Sequence, residues 1–241
     1  MPDIYTHDIR GCYADTVGEG GVSPESMETV FEAASGPWSL MRGALAEDDF
    51  PPLTLTNQSD DLAEISDVAA RLAESCDVVA IIGVGGSSLG AEALTALATQ
   101  PSVDLRFLDN PDPETLARFK ASVDLARTGA VVVSKSGGTA ETLIVAMTIV
   151  PALAAARPAE SMADYVIAMA EPGDNPVRRL ATHWNIPVLD HDPEIGGRYS
   201  VFSAVGLLPA ALAGLDIEAV RAGAADAIDL NTRSEDGRDA P

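Results

Sequence analysis

Five short stretches of the chain are nearly apolar at consecutive positions: Asp77–Ile82, Leu105–Leu108, Gly129–Val133, Tyr165–Met169 and Ile186–Leu189. Runs of this length without polar alternation fit strands buried on both faces of a parallel sheet. Between and before them lie segments with helical spacing, Leu62–Ser75, Ala91–Ala98, Asp112–Lys120, Thr139–Val150 and Pro176–Trp184. Within Thr139–Val150, Leu143, Ala146, Met147 and Val150 fall on one stripe and predict the buried face of that helix. Ser200–Ala213 predicts a further helix, interrupted at Pro209. Strand and helix in strict alternation predict an α/β fold: a doubly wound, mostly parallel five-stranded sheet flanked by helices. Ligands of such sheets bind at the carboxyl ends of the strands.

The regular pattern starts near residue 61. Residues 1–60 mix short apolar runs with Gly20-Gly21, Gly36-Pro37 and Pro51-Pro52, and predict a partly helical arm whose clearest helix is Glu25–Ala34. Residues 61–230 form the predicted α/β domain. Residues 231–241 are polar and predict a frayed tail.

Charge narrows the function classes. Fifteen Lys and Arg against 37 Asp and Glu give a net charge of −22, which opposes nucleic acid and anionic membranes. The acidity reads first as solubility, or as adaptation to high internal salt; the only lysines are Lys120 and Lys135. An anionic ligand must then be held by local donors, since the field of the whole chain is screened over about 8 Å. The longest nearly apolar stretch, Leu143–Ala156, is shorter than the roughly 20 residues of a membrane span and contains Pro151. No secretory signal is expected at the start. Cys12 and Cys76 are far apart, with no CxxC spacing, and predict free thiols in a reducing compartment. A cytoplasmic location is expected.

Three loops carry the candidate chemistry. Gly83-Val84-Gly85-Gly86-Ser87-Ser88-Leu89-Gly90 follows the first strand, where convergent backbone N–H groups and a helix start make an anion site. It also resembles a dinucleotide fingerprint, but its sixth position is Ser88 instead of glycine. A glycine turn needed only for tight packing is a further alternative. The second loop is Ser134-Lys135-Ser136-Gly137-Gly138-Thr139-Ala140-Glu141-Thr142. Hydroxyls, one cation and two glycines at a strand-to-helix junction suit a monophosphate. The lysine precedes the glycines, so this is not a P-loop, and a Ser/Thr-rich helix cap is the alternative. The third loop, Asp192–Ser200, holds Arg198 behind Gly196-Gly197. In isolation that arginine reads more readily as a surface or ion-pairing residue than as a catalytic one.

The ordered set Ile82–Ser87, Ser134–Thr142 and Gly196-Gly197-Arg198-Tyr199-Ser200, with Ser203-Ala204-Val205-Gly206-Leu207-Leu208-Pro209 behind it, resembles the sugar-isomerase (SIS) domain of the glucose-6-phosphate isomerase family. The resemblance covers roughly residues 60–227. Gly138 departs from it, standing where many relatives carry threonine.

This resemblance implies a SIS-type, flavodoxin-like fold and an aldose–ketose isomerisation of glucose 6-phosphate and fructose 6-phosphate without metal or cofactor. Ser87, Ser134, Lys135, Ser136 and Thr139 match the family's phosphate-holding positions, and Gly86 lines the sugar. Arg198 matches the arginine near the enediolate, the one catalytic residue expected on this chain. The family's base glutamate, its ring-opening histidine and a C-terminal lysine belong to a second half that matches nothing here. His7, His183 and His191 match no motif, and Glu92 and Glu141 are expected in helix-cap roles. The chain is therefore expected to be a first half: a fragment, a partner of a separate C-terminal half, or part of a homodimer when complete. Without the base it is expected to bind phosphosugar weakly, not to isomerise it, and to expose apolar surface around Val205–Leu212. The alternatives are a non-catalytic phosphosugar-binding module and, less well matched, a nucleotide-dependent oxidoreductase.

Overall fold

The computed structural model describes residues 8–99, 101–157, 161–233 and 235. His7 and most of the polar tail lie outside them. The chain divides into two compact units, Leu55–Ala222 and Met1–Thr54 with Gly223–Pro241.

The second of these contains α1 (Ala14–Val17), α2 (Pro24–Ala46) and α3 (Pro51–Thr54). Ser23 caps α2 by accepting from the Ser26 amide at 3.2 Å, with Pro24 at the first helical position. This helix runs well past the predicted Ala34. Proline removes only its own N–H and one backbone bond, and the chain stays helical through Gly36-Pro37.

The larger unit holds a five-stranded, all-parallel sheet in the order β2-β1-β3-β4-β5. The strands are β1 (Val78–Ile82), β2 (Asp104–Leu108), β3 (Thr128–Val133), β4 (Val166–Ala170) and β5 (Val188–Asp190). Every residue of β3 and β4 is buried. Because side chains of a strand point alternately to opposite faces, both faces of the sheet are covered, which explains the unbroken apolar runs. The order reverses between β1 and β3, so their carboxyl ends open a crevice, the switch point where ligands of open α/β sheets bind. Ile82 of β1 lies beside Val132 of β3, and the two glycine-serine loops leave the sheet side by side.

Helices α4 (Leu62–Ser75), α5 (Leu89–Thr95), α6 (Pro113–Ser122), α7 (Ala140–Ala156), α8 (Pro176–Trp184) and α9 (Ala204–Leu212) complete the layers, and α10 (Ile217–Thr232) begins here. Three expectations are corrected. The buried stripe of α7 is Thr142, Val145, Ala146, Ile149, Val150 and Leu153; Met147 is 65% exposed. A helix with mean hydropathy this high all round has no strong preferred face, so spacing alone misjudges its rotation. The interruption before α9 falls at Ser203 instead of Pro209: a 3-10 segment, Gly197–Phe202, ends there and Ser203 caps α9 through the Val205 amide at 3.3 Å. Nor is Val205–Leu212 exposed. Val205, Leu207, Leu208, Ala210 and Leu212 are all buried, with α9 packed on α4 and α5.

Among the described residues no helix is long and apolar enough to cross a membrane. Both cysteines are free: Cys12 is exposed, and burial raises the thiol pKa of Cys76.

Candidate active site

Directly after β3 the chain turns so tightly that Ser134, Ser136 and Thr139 share one nest. The Gly137 amide donates to the Ser134 carbonyl at 3.0 Å, and the Ser134 and Thr139 hydroxyls lie 3.0 Å apart. The Ser136 hydroxyl accepts from the Gly138 amide at 3.3 Å. Ser134 is buried, Thr139 half-buried and Ser136 exposed. Thr139 then leads into the 17-residue α7, whose first-turn N–H groups lack intrahelical acceptors and carry the positive end of the helix.

This turn requires glycine at residue 137. Its φ is +65°, and a Cβ there would lie 2.0 Å from Oδ1 of Asn175. Asn175 caps α8 by accepting from the Arg178 amide at 3.0 Å, and the Val177 amide donates to the Gly137 carbonyl at 3.0 Å. The start of α8 is thus a shelf beneath the second loop.

The first loop bends through a 3-10 turn, Gly85–Ser87, into α5, leaving Ser87 half-buried. Gly86 presses against the third loop, where a Cβ would meet the Gly197 carbonyl carbon at 2.3 Å. The hydroxyl of Ser200 donates to the Gly197 carbonyl at 2.7 Å, fixing the turn on its far side. Arg198 is exposed, and its guanidinium makes no hydrogen bond or ion pair among the described residues.

Lys135 joins the second loop to the third. Its Nζ donates to the Pro193 carbonyl at 2.6 Å and lies 3.5 Å from Oε1 of Glu171. All three loops therefore meet in one cluster, first to third through Gly86 and Gly197, second to third through Lys135 and Pro193.

His191 lies just before this junction. Its ring is buried, and Nδ1, facing the Asp192 carbonyl at 2.9 Å, is the donor. Nε2 then carries the lone pair, with no hydrogen-bond partner. Burial, reinforced by the Lys135 charge, lowers its pKa below the ordinary 6.5 and keeps the ring neutral. His183 is exposed in the last turn of α8, edge-on to Trp184. Glu92 and Glu141 occupy the first turns of α5 and α7, where a carboxylate complements the helix dipole. Among the described residues no group of three or more His, Cys, Asp or Glu side chains is placed to hold a metal ion.

Glu171, Asn175 and Pro193 were not legible as site residues. The Asn-Pro pair at 175–176 does read as a helix start, yet its approach to Gly137 is a tertiary contact without a local signature.

The family described as phosphoglucose isomerase matches residues 67–235. A glucose-6-phosphate isomerase of Rubrobacter xylanophilus is 33% identical over 226 residues, covering 88% of this chain and 50% of the relative. A probable glucose-6-phosphate isomerase of Haloarcula marismortui is 39% identical over 173 residues, 71% of this chain and 38% of the relative. Among solved structures, a hypothetical protein of Thermus thermophilus superposes with a TM-score of 0.77 at 27% identity, over 89% of this chain and 52% of that one. A glucose-6-phosphate isomerase of Chlamydia trachomatis shares the fold, with a TM-score of 0.62 at 23% identity, over 88% of this chain and 47% of that one. The chain spans about half the length of these relatives, or less.

Proposed function

Since the chain belongs to the phosphoglucose isomerase family, we propose that it carries the phosphate-holding half of a site interconverting glucose 6-phosphate and fructose 6-phosphate. The observation that carries this reading is the convergence of three glycine loops at the β1/β3 switch point around the hydroxyls of Ser134, Ser136 and Thr139. Those hydroxyls, with Ser87 and the N–H groups opening α7, supply donors for phosphate oxygens in a chain whose net charge repels anions. Gly86, pressed against the Gly197 backbone, is assigned to line the sugar beside them.

Isomerisation moves a proton between C2 and C1 through an enediolate. A carboxylate takes the proton from one carbon and returns it to the other, and a fixed cation stabilises the oxyanion formed between the two steps. Arg198, exposed and unpaired on its glycine loop, is assigned that cation. The base has no match in the three motifs and comes from the family's second half. By the same resemblance the complete protein is a cytoplasmic homodimer.

Calorimetric titration with fructose 6-phosphate, beside a coupled isomerase assay, tests this reading. Residues 1–241 alone should bind the sugar phosphate and turn it over at least about 10²-fold more slowly than a full-length relative, the lower bound for loss of a general base. Turnover at the full-length rate would locate a base within these residues; absence of binding would remove the phosphate site. A non-catalytic phosphosugar-binding module is the second reading, favoured by the half-length match to the relatives. Restoring activity by adding a family C-terminal half would decide against it.

A further inference from the structure

Lys135 occupies a motif position matched to phosphate holding, yet its ammonium is anchored to the Pro193 carbonyl and paired with the Glu171 carboxylate. We propose that Lys135 is a positioning residue that straps the phosphate loop to the loop of Arg198, and not a phosphate ligand. The inference rests on the functional reading above.

The donor inventory comes first. An ammonium has three N–H groups. One is spent on the Pro193 carbonyl at 2.6 Å, a short charge-assisted bond, and the charge as a whole is paired with the Glu171 carboxylate at 3.5 Å. Both side chains of the ion pair are about 30% exposed, so water screens it less than a surface pair.

The seat is built rigidly. The Glu171 amide donates to the Lys135 carbonyl at 2.9 Å. The Glu171 carbonyl in turn accepts from Nδ2 of Asn175 at 3.0 Å and from Nε of Arg178 at 2.7 Å. Asn175 is also the residue packed under Gly137. One connected frame therefore fixes the phosphate turn and the lysine seat together.

The strap reaches Arg198 through a short, anchored segment. Ile195 is buried, and Gly196-Gly197 then bring the backbone against Gly86. Arg198 follows directly. Drawing Nζ towards a phosphate would break the Pro193 bond and leave the Glu171 carboxylate without its counter-ion beside the incoming anion. The hydroxyls and the α7 amides capture phosphate without that loss.

The test uses the 241-residue chain with Lys135→Met, which keeps the apolar stem, Lys135→Arg, Glu171→Gln and Arg198→Ala. The probes are inorganic phosphate and 6-phosphogluconate, whose carboxylate places negative charge near the carbon where the enediolate forms. Lys135→Met should leave phosphate affinity within about twofold, while amide exchange at 194–198 accelerates by about tenfold or more as the loop opens locally. It should also erase most of the advantage of 6-phosphogluconate over phosphate, and non-additively with Arg198→Ala, because both act through one group. Lys135→Arg should restore exchange protection, and Glu171→Gln should reproduce the effects of Lys135→Met in weaker form.

A tenfold or greater loss of phosphate affinity in Lys135→Met, with residues 194–198 still protected, would make Lys135 a ligand and overturn the proposal. Should Lys135→Met fail to fold, Glu171→Gln decides by the same two readouts. If the wild-type chain binds neither probe, the functional reading fails, whereas amide exchange still decides the strap.

Discussion

Two residues show how burial converts an ordinary ionisable group into a structural constraint. Arg221 is 1% exposed, yet both terminal nitrogens of its guanidinium are engaged, with both carboxylate oxygens of Asp61, the Gln58 carbonyl at 3.1 Å and the Phe202 carbonyl at 2.8 Å. Only its Nε lacks a partner among the described residues. The hydrogen bond from Arg221 holds the Asp61 carboxyl below its usual pKa. Asp61→Ala leaves a buried cation without its partner and should cost about 3 kcal/mol, the lower end for breaking a buried pair because Asp61 is 39% exposed. Urea unfolding measures this, and a change below about 1 kcal/mol in such a pair would contradict it. His191 is the converse case, a ring held neutral. The unfolded state binds its proton at the ordinary 6.5 and the folded state only at lower pH, so between those two values the unfolded chain carries more protons. Stability on this account falls as pH drops through 6.5. The acid-side decline in urea midpoint should be shallower in His191→Asn than in wild type. Lys135, Glu171 and Asp192 also face the ring and are the same in both proteins; parallel declines would remove His191 as the cause.

At the level of elements, apolar runs located all five strands to within two residues. Burial on both faces leaves β3 and β4 almost no position for a polar side chain, whereas the edge strand β2 carries exposed Asp104 and Arg106. Helices were less legible where proline intervened: Pro37 and Pro151 lie inside α2 and α7, each of which continues beyond the predicted end. Helix α10 was missed, since its buried contacts are Ile217 and Arg221, and an arginine reads as solvent-facing until its partners are known. Of the site, glycine and hydroxyl density marked the loops, and strand order explains why two of them are neighbours. The lysine seat was illegible because Glu171 and Pro193 reach Lys135 only through the fold. The rotation of α7 gives a direct comparison. Ile149→Ala, at a fully buried position, should cost about 2–4 kcal/mol. Met147→Lys, two residues earlier on the exposed side, should stay within about 0.5 kcal/mol. Reversed magnitudes in denaturation would mean that the helix is rotated as its spacing first implied.

On the scale of the whole molecule, the two units differ in how they are held. All five strands and the three converging loops belong to Leu55–Ala222, whereas the 23-residue α2 of the other unit has no buried residue. Amide exchange should accordingly be slowest in β3 and β4 and fast throughout α2, a ranking read directly from protection factors. The sheet is open, and an open sheet has two margins. At one lies β5, three residues long; at the other lies β2, where Asp104 and Arg106 form a partly exposed ion pair at 2.6 Å. Short length and paired charge are the devices by which natural sheets refuse an additional strand. Fibre growth by lateral β-addition is thereby blocked at both margins, and replacing Asp104 and Arg106 together with threonine and valine should shorten the lag before thioflavin-positive aggregates form. An unchanged lag would mean that the charges at β2 do not guard it.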